Sequence, residues 1–379
     1  MEISARHKRS FSFLVALLFW YFNEAWSWTH AKETPQVRVP CFFIFGDSLV
    51  DNGNNNDILT LARANYQPYG VDFPQGPTGR FSNGRTVVDV LAQLVGFSTY
   101  IPPHSETSRR SVIAGANFAS GAAGIRDETG NNLGAHIPMN QQLSNFEGIL
   151  PEIRRYLGGD MKAVENHLSK CIFYSGMGSN DYLNNYFMTN YYTTSSQFTP
   201  TAYANALLQD YSRQLAFLYQ LGGRKVIVAG VGQIGCIPYE LARYNSTDQS
   251  RCNEDKNNAV NLFNSGLRQL VDVFNHNNAQ FPGAKFVYLD SYLSSRDLYS
   301  KPKTYGFDVV DKACCGVGKN NGQITCLPFQ EPCENRSKYL FWDAFHPTEI
   351  ANVLLAKKAF TTKNKSYAYP INIQQLATL

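Results

Sequence analysis

The chain lacks the features that mark nucleic-acid-binding proteins and many metal-dependent enzymes. Only 17% of its 379 residues are charged, the net charge is +4, and lysine and arginine are scattered. Such a mild and dispersed charge does not make a nucleic-acid surface. The sequence has no Cys-x-x-Cys pair, no His-Glu-x-x-His motif and no P-loop, which argues against zinc and nucleotide chemistry. We expect no metal, no organic cofactor and no nucleic-acid partner.

Long hydrophobic runs are also scarce. One apolar block, residues 11–22, follows three basic residues and precedes Ala25-Trp26-Ser27. A basic head, a short apolar middle and small residues at positions −3 and −1 are typical of a secretory signal peptide. The block is shorter than a membrane span of roughly 20 residues, although an uncleaved anchor is the alternative. We therefore predict that residues 1–27 are removed and that the mature protein is secreted, without membrane insertion.

Two further features agree with export. Glycosylation acceptors of the form Asn-x-Ser/Thr occur at Asn245, Asn335 and Asn364. Six of the eight cysteines lie in the second half of the chain, which predicts loop-closing disulfides there. Cys236–Cys252 is the preferred pair, because a turn-rich stretch separates the two residues. Cys41 and Cys171 each stand at the head of an apolar strand and are interpreted as buried thiols.

Short apolar runs alternate with helical patterns. The predicted strands are 42–45, 112–119, 171–175, 225–229 and 285–289, and the main predicted helices are 86–95, 201–221, 254–277 and 348–360. This alternation indicates an α/β fold in which helices cover both faces of a parallel sheet. No repeat or linker interrupts it. We predict one domain, residues 37–363, followed by a short polar tail, residues 364–379.

The first strand ends abruptly at Gly46-Asp47-Ser48. A serine at the carboxyl end of a buried strand stands where open α/β sheets form their ligand crevice. Ser48 is therefore a candidate nucleophile. A serine that caps a following helix is the alternative interpretation.

A second group of candidate residues lies near the other end of the chain. Asp343 and His346 are three residues apart, a spacing that points both side chains to the same side of a turn or helix. The carboxylate can then hold the imidazole through Nδ1 and leave Nε2 to accept a proton from a serine. A helix cap or a surface pair would also explain this spacing. The catalytic interpretation of Asp343 and His346 becomes stronger when Ser48 is considered with them. Like Ser48 after the first strand, glycine and asparagine residues follow the second and third predicted strands.

Two other segments have more than one interpretation. The glycines at 230, 232 and 235 match the dinucleotide fingerprint. Pro238 follows too closely to fit the helix that such a fingerprint opens, and we reject that reading. The aromatic segment 182–198 either walls an acyl pocket, forms a lid, or packs as an ordinary loop.

Three motifs together resemble the ordered blocks of the GDSL esterase/lipase family within the SGNH hydrolases. They are Gly46-Asp47-Ser48-Leu49, Gly178-Ser179-Asn180-Asp181 and Asp343-Ala344-Phe345-His346. Residues 79–84 and 117–121 extend the likeness, which is strongest to the secreted plant branch. The resemblance implies a flavodoxin-like three-layer α/β/α fold with five parallel strands. Ala122 is a departure, since the plant pattern more often has a second glycine there.

The resemblance also implies a role for individual residues. Ser48 would be the nucleophile, His346 the general base and acid, and Asp343 the group that orients His346. The oxyanion would be held by the backbone N–H groups of Ser48 and Gly121, preferred over Gly115, and by the side-chain amide of Asn180. Physical chemistry supports such donors, because attack on an ester places negative charge on the carbonyl oxygen.

The expected activity is hydrolysis of carboxylic esters through a covalent acyl-enzyme. One alternative is an acyltransferase that passes the acyl group to an alcohol. A second is a secreted binding or defence protein that retains the fold without catalysis. The substrate stays open among lipids, polyesters and acylated carbohydrates or metabolites, and so does the oligomeric state.

Overall fold

The computed structural model describes residues 39–108, 111–244 and 252–379. The predicted signal peptide and Asn245 lie outside these residues. The strands are β1 (Phe42–Gly46), β2 (Ile172–Gly176), β3 (Lys225–Ala229), β4 (Lys285–Leu289), β5 (Val309–Ala313), β6 (Tyr339–Phe341) and β7 (Ala368–Tyr369). The α-helices are α1 (Val87–Leu94), α2 (Met139–Tyr156), α3 (Met161–Leu168), α4 (Ser179–Asp181), α5 (Thr194–Gln197), α6 (Pro200–Gln220), α7 (Pro238–Arg243), α8 (Glu254–His276), α9 (Ser291–Ser300), α10 (Pro302–Tyr305), α11 (Glu349–Thr361) and α12 (Ile373–Thr378).

The central sheet has five strands in the order β1-β2-β3-β4-β7. The first four are parallel and in regular register, with Gly46, Gly176 and Ala229 side by side where the first three strands end. β7 is antiparallel to β4. Because the carboxyl ends of β1 and β2 meet at one edge, the loops that follow them reach the same crevice.

The side chains of the strands alternate between two covered faces. Phe43, Phe45 and Phe173 belong to a buried cluster with side chains of α2, α6 and α8. Phe42 and Ile44 point to the opposite face and are buried as well. On that side α12 packs against β3 and β4. Strands buried on both faces explain the continuous apolar runs in the sequence and give the expected α/β layering.

The segment 112–119 differs from the predicted second strand. Residues Val112–Ala114 form a turn of 3-10 helix, and Gly115 has a φ of +123°, which breaks an extended run. The following residues lie parallel to β1 through one isolated bridge between Ile44 and Asn117. The fifth strand of the sheet is therefore the short antiparallel β7, and not residues 112–119.

The C-terminal residues also differ from the prediction. The expected polar tail contains β7, which pairs with β4, and α12, whose Ile373 and Leu376 side chains are fully buried. The sequence pattern missed this because two residues are too few to display a period. Residues 364–379 thus belong to the folded domain.

All eight cysteines are paired within the described residues. The preferred pair Cys236–Cys252 is confirmed, and Cys314–Cys333 and Cys315–Cys326 cross-link the loop after β5. The interpretation of Cys41 and Cys171 as free thiols is wrong, because these two residues form a disulfide. They stand just before β1 and β2, and the parallel pairing of those strands brings them together. Among the described residues, no helix has the length and hydrophobicity that a membrane crossing requires.

Candidate active site

Ser48 lies in the turn directly after β1. The end of the strand is held by the fully buried Gln142, whose amide oxygen accepts from Gly46 N at 2.9 Å and whose amide nitrogen donates to Gly46 O at 2.8 Å. Asp47 accepts the N–H of Leu49 at 2.9 Å. The turn is therefore tied on both sides of the serine, and the half-buried Ser48 side chain is presented at the sheet edge.

His346 and Asp343 lie beside Ser48, although 298 residues separate Ser48 from His346. The distance from His346 Nε2 to Ser48 Oγ is 2.7 Å. His346 Nδ1 lies 2.8 and 2.9 Å from the two carboxylate oxygens of Asp343. An ionised carboxylate only accepts hydrogen bonds, so Nδ1 donates to it and Nε2 accepts from the serine hydroxyl. This geometry allows His346 to take a proton from Ser48.

The electrostatic environment of the Asp343–His346 pair favours the ionised form of Asp343. Burial would raise the pKa of Asp343, but the neighbouring charge of His346 and the hydrogen bonds from His346 and Tyr69 hold that pKa below its usual value. Asp47 behaves in the opposite way, since burial raises its pKa to about 6 against the effects of Leu49 N–H and His346. The two aspartates thus differ because only Asp343 has strong donors.

Asn180 follows β2 at the same edge. It lies in the short helix α4, which begins after Gly178 at a φ of +123°, where a Cβ would meet Val231 at 2.9 Å. The Asn180 amide nitrogen donates to Ala123 O at 2.9 Å, and its oxygen accepts from Asn184 at 2.7 Å. One of its two amide hydrogens is used in this way, and the second is available to a substrate.

Gly121 has a different environment from Asn180. Its N–H donates to Asp51 Oδ2 at 2.9 Å, and Asp51 also accepts from Gly53 N and Asn54 N. Burial raises the pKa of Asp51 to about 6, and these N–H donors oppose the rise. The next residue, Ala122, has a φ of +69° and borders the cavity at Ser48. Its N–H has no acceptor among the described residues.

A cavity of about 370 Å³ opens at Ser48, Asn180 and His346. Most of its walls are apolar; they include Leu61, Met177, Leu183, Met188, Val231, Ile234, Leu289, Phe341, Phe345 and Leu355. These side chains come from the loops after β1, β2, β3 and β6, from the ends of β4 and β6, and from α11. A mostly apolar cleft with a few polar groups at one end is the usual form of a small-molecule site.

Several residues that shape this edge were not singled out in the sequence. The Asn54 amide donates to Asn117 O and Ala119 O, and the Asn55 amide donates to Gly121 O. The asparagine run therefore fastens the loop after β1 to segment 117–121. Its sequence signal was three successive asparagines, a pattern that also fits an ordinary turn.

The two ambiguous segments now have structures. In the aromatic segment, Tyr182 and Tyr186 are buried and pack against Tyr203, while Leu183 and Met188 line the cavity. The glycine-rich segment after β3 leads into a 3-10 turn, Ile234–Cys236, before α7 begins at Pro238. A dinucleotide fingerprint would open directly into a helix, and this segment does not.

Comparisons with known proteins agree with the fold. The family model described as GDSL-like lipase/acylhydrolase matches residues 42–359. The chain is 62% identical over 353 residues to GDSL esterase/lipase At1g33811 of Arabidopsis thaliana, and the aligned residues make up 93% of this chain and 94% of that protein. It is 54% identical to GDSL esterase/lipase At4g18970 of the same plant, over 90% of this chain and 93% of the relative. The chain therefore belongs to the GDSL esterase/lipase family and is a carboxylic ester hydrolase.

Proposed function

We propose that this enzyme hydrolyses esters through an acyl-enzyme on Ser48, with His346 as general base and acid and Asp343 as its orienting group. The observation that carries the proposal is the chain of contacts from Ser48 Oγ to His346 Nε2, 2.7 Å, and from His346 Nδ1 to Asp343, 2.8 Å. His346 removes the hydroxyl proton as Ser48 attacks the carbonyl carbon. It returns that proton to the leaving alcohol, and water then releases the acid by the same steps in reverse order.

We further propose the groups that stabilise the oxyanion. The backbone N–H of Ser48 and the second amide hydrogen of Asn180 have no protein acceptor among the described residues. Gly121, the donor implied by the resemblance, would have to exchange its 2.9 Å bond with Asp51 for the oxyanion. The unpaired Ala122 N–H borders the same cavity, and this observation favours Ala122 as the donor from that loop.

Replacing Asn180 by alanine is expected to lower kcat by about 10²–10³-fold and to change KM little, because an oxyanion donor acts mainly in the transition state. The measurement is steady-state kinetics on a p-nitrophenyl ester. Asn185→Ala is the matched control: this asparagine is also buried but donates to Thr129 at 3.0 Å. Equal kcat values for the two variants would contradict the assignment of Asn180.

The cavity supports a substrate with an apolar acyl group. Apolar side chains form most of its walls, and its volume of about 370 Å³ can hold several methylene groups. Each buried methylene contributes about 0.8 kcal/mol of favourable transfer free energy. A lipid or another long-acyl ester fits this lining better than the acetyl groups of a polysaccharide.

Lengthening the acyl chain is therefore expected to raise kcat/KM. Between p-nitrophenyl acetate and hexanoate, four added methylenes predict an increase on the order of 100-fold if they are buried. The assay is run below the solubility limit of each ester, so that aggregates do not contribute. The uncatalysed rate of each ester provides the control. A flat or falling series would contradict an acyl-binding cavity.

We also propose that the protein is secreted after cleavage at Ser27 and carries N-linked glycans. Four disulfides fit an oxidising compartment. Asn335 and Asn364 are exposed, as an acceptor must be. Asn245 and the signal peptide lie outside the described residues, and we propose a glycan at Asn245 and cleavage at Ser27 from the sequence pattern alone.

A further inference from the structure

The Asp343 carboxylate has a partner that neither the sequence pattern nor the comparisons identify. The Tyr69 hydroxyl donates to Asp343 Oδ2 at 2.6 Å across 274 residues of sequence. The tyrosine is 1% exposed and Asp343 is fully buried. Asp343 Oδ1 accepts separately from the backbone N–H groups of Phe345 and His346, at 2.9 and 2.8 Å.

The position of the tyrosine hydroxyl is fixed by its surroundings. Its oxygen lies 3.2 Å from Thr325 Oγ1. Thr325 precedes Cys326, which forms a disulfide with Cys315. The Cys315 N–H donates to Trp342 O at 2.7 Å, one residue before the aspartate. The Tyr69 ring also packs edge-on against Trp342, with ring centroids 6.1 Å apart.

The Tyr69 hydroxyl stays protonated, and therefore a donor, above the pH at which an exposed tyrosine ionises. Burial raises the pKa of Tyr69 well above its ordinary value, and the charge of Asp343 raises it further. A protonated tyrosine can only donate to an ionised carboxylate, since the carboxylate has no hydrogen to give. Such a hydrogen bond to a charged group is stronger than one between neutral groups.

We propose that Tyr69 is a positioning residue of the active site, which holds the Asp343 carboxylate through Oδ2 and withdraws part of its negative charge from His346. The inference rests on the proposed roles of Ser48, His346 and Asp343. Tyr69 contacts no reacting atom in this scheme. It acts through the carboxylate, and the disulfide-linked loop around Cys315 and Cys326 acts in turn by holding Tyr69.

Removal of the hydroxyl has two consequences that can be separated. The carboxylate can rotate away from the imidazole, which lowers kcat. It also loses a donor, so that its full charge stabilises the protonated imidazole more strongly. The acidic limb of the profile of kcat/KM against pH then moves to higher pH, because His346 must be neutral to accept the serine proton.

The test compares Tyr69→Phe with Tyr66→Phe. Tyr66 lies in the same cluster, 5.3 Å from Tyr69 between ring centroids, and its hydroxyl donates to Cys326 O and not to Asp343. Asp47 is a further titratable group that interacts with His346, and both variants retain it. We expect Tyr69→Phe to lower kcat about 10-fold, the factor of one hydrogen bond to a charged group, with KM little changed and the acidic limb at higher pH. Tyr66→Phe should change both by less, because the Tyr66 hydroxyl donates to Cys326 O and is hydrogen-bonded to Tyr69, not to the carboxylate.

Each result decides the proposal. A lower kcat with an unmoved acidic limb would mean that Tyr69 only packs, and unchanged kinetics would also overturn the inference. If Tyr69→Phe does not fold, Thr325→Val replaces it in the comparison. Loss of this second partner of the Tyr69 hydroxyl should move the acidic limb of the pH profile in the same direction by less, and an unmoved acidic limb would overturn the inference.

Ser48→Ala is measured in parallel. Activity that survives in Ser48→Ala rejects the proposed function itself, whereas an inactive Ser48→Ala with an ordinary Tyr69→Phe rejects only the role of Tyr69.

Discussion

Replacing Ser48 by alanine is expected to lower kcat by about 10⁶-fold, to a residual rate that the oxyanion donors and substrate binding sustain. Alanine removes the atom that attacks the ester and leaves His346 without its 2.7 Å partner. The backbone conformation of the turn need not change, because Gln142 holds the end of β1 through Gly46 and not through the serine. Hydrolysis and any transfer of the acyl group to an alcohol should disappear together, since both pass through the same acyl-enzyme.

The measurement is turnover of p-nitrophenyl hexanoate, with mass spectrometry of the protein after a slow-turnover ester. The wild-type chain should gain the acyl mass on the peptide that contains Ser48, and Ser48→Ala should not. Ser175→Ala is the matched control, since Ser175 pairs with Phe45 in the sheet but its hydroxyl bonds Tyr211 at 2.6 Å. A Ser48→Ala enzyme that retains the turnover of Ser175→Ala would remove the nucleophile assignment.

Local patterns were enough to predict the strands that carry the site. β1, β2, β3 and β4 are short apolar runs buried on both faces, and such runs are visible without any knowledge of their partners. The position of Ser48 follows from the abrupt end of β1, because the chain must turn at the sheet edge. The three-residue spacing of Asp343 and His346 is equally local. Parallel pairing of β1 and β2 accounts for Ser48 and Asn180 meeting at one edge. It does not account for Asp343 and His346, which follow β6 in a separate two-stranded sheet with β5.

Contacts between distant segments were not predictable in this way. The failure at 112–119 has a definite cause: Gly115 at a φ of +123° ends the extended run, and Gln142 accepts the Gly46 N–H that a longer ladder between β1 and this segment would use. The Cys41–Cys171 disulfide joins residues 130 apart in the sequence. Each of these depends on which segments become neighbours, and hydrophobic periodicity carries no information on that.

The oxyanion loop illustrates the same limit within the active site. The resemblance pointed to a glycine, because a residue without a side chain leaves its N–H open to substrate. Here the buried carboxylate of Asp51 already holds the Gly121 N–H, and Ala122 adopts a φ of +69° that is uncommon for a residue with a Cβ. The loop therefore has a strained backbone at Ala122, in the wall of the cavity. The hydrogen bond from Gly121 N–H to Asp51, which the sequence does not show, is what distinguishes Gly121 from Ala122 as the oxyanion donor.

Replacing Asp343 by asparagine is expected to lower kcat by about 10⁴-fold without unfolding the protein. The amide oxygen can still accept the backbone N–H groups of Phe345 and His346, as Asp343 Oδ1 does at 2.9 and 2.8 Å. The amide nitrogen would then replace Oδ2, which lies 2.9 Å from His346 Nδ1, and the Tyr69 hydroxyl would lose the acceptor that it now has at 2.6 Å. A donor at that position favours the imidazole hydrogen on Nε2, where the ring presents a donor to Ser48 and cannot accept its proton.

The control for this variant is Asp272→Asn. Asp272 also accepts a tyrosine hydroxyl, from Tyr369 at 2.9 Å, but it lies on α8 and has no contact with His346. Asp272→Asn should therefore leave kcat near that of the wild-type enzyme. A loss confined to Asp343→Asn, with thermal unfolding similar in both variants, requires that the carboxylate acts through the hydrogen position on the imidazole. Equal activity of the two variants would instead mean that His346 needs no aspartate, and the orienting role of Asp343 would have to be given up.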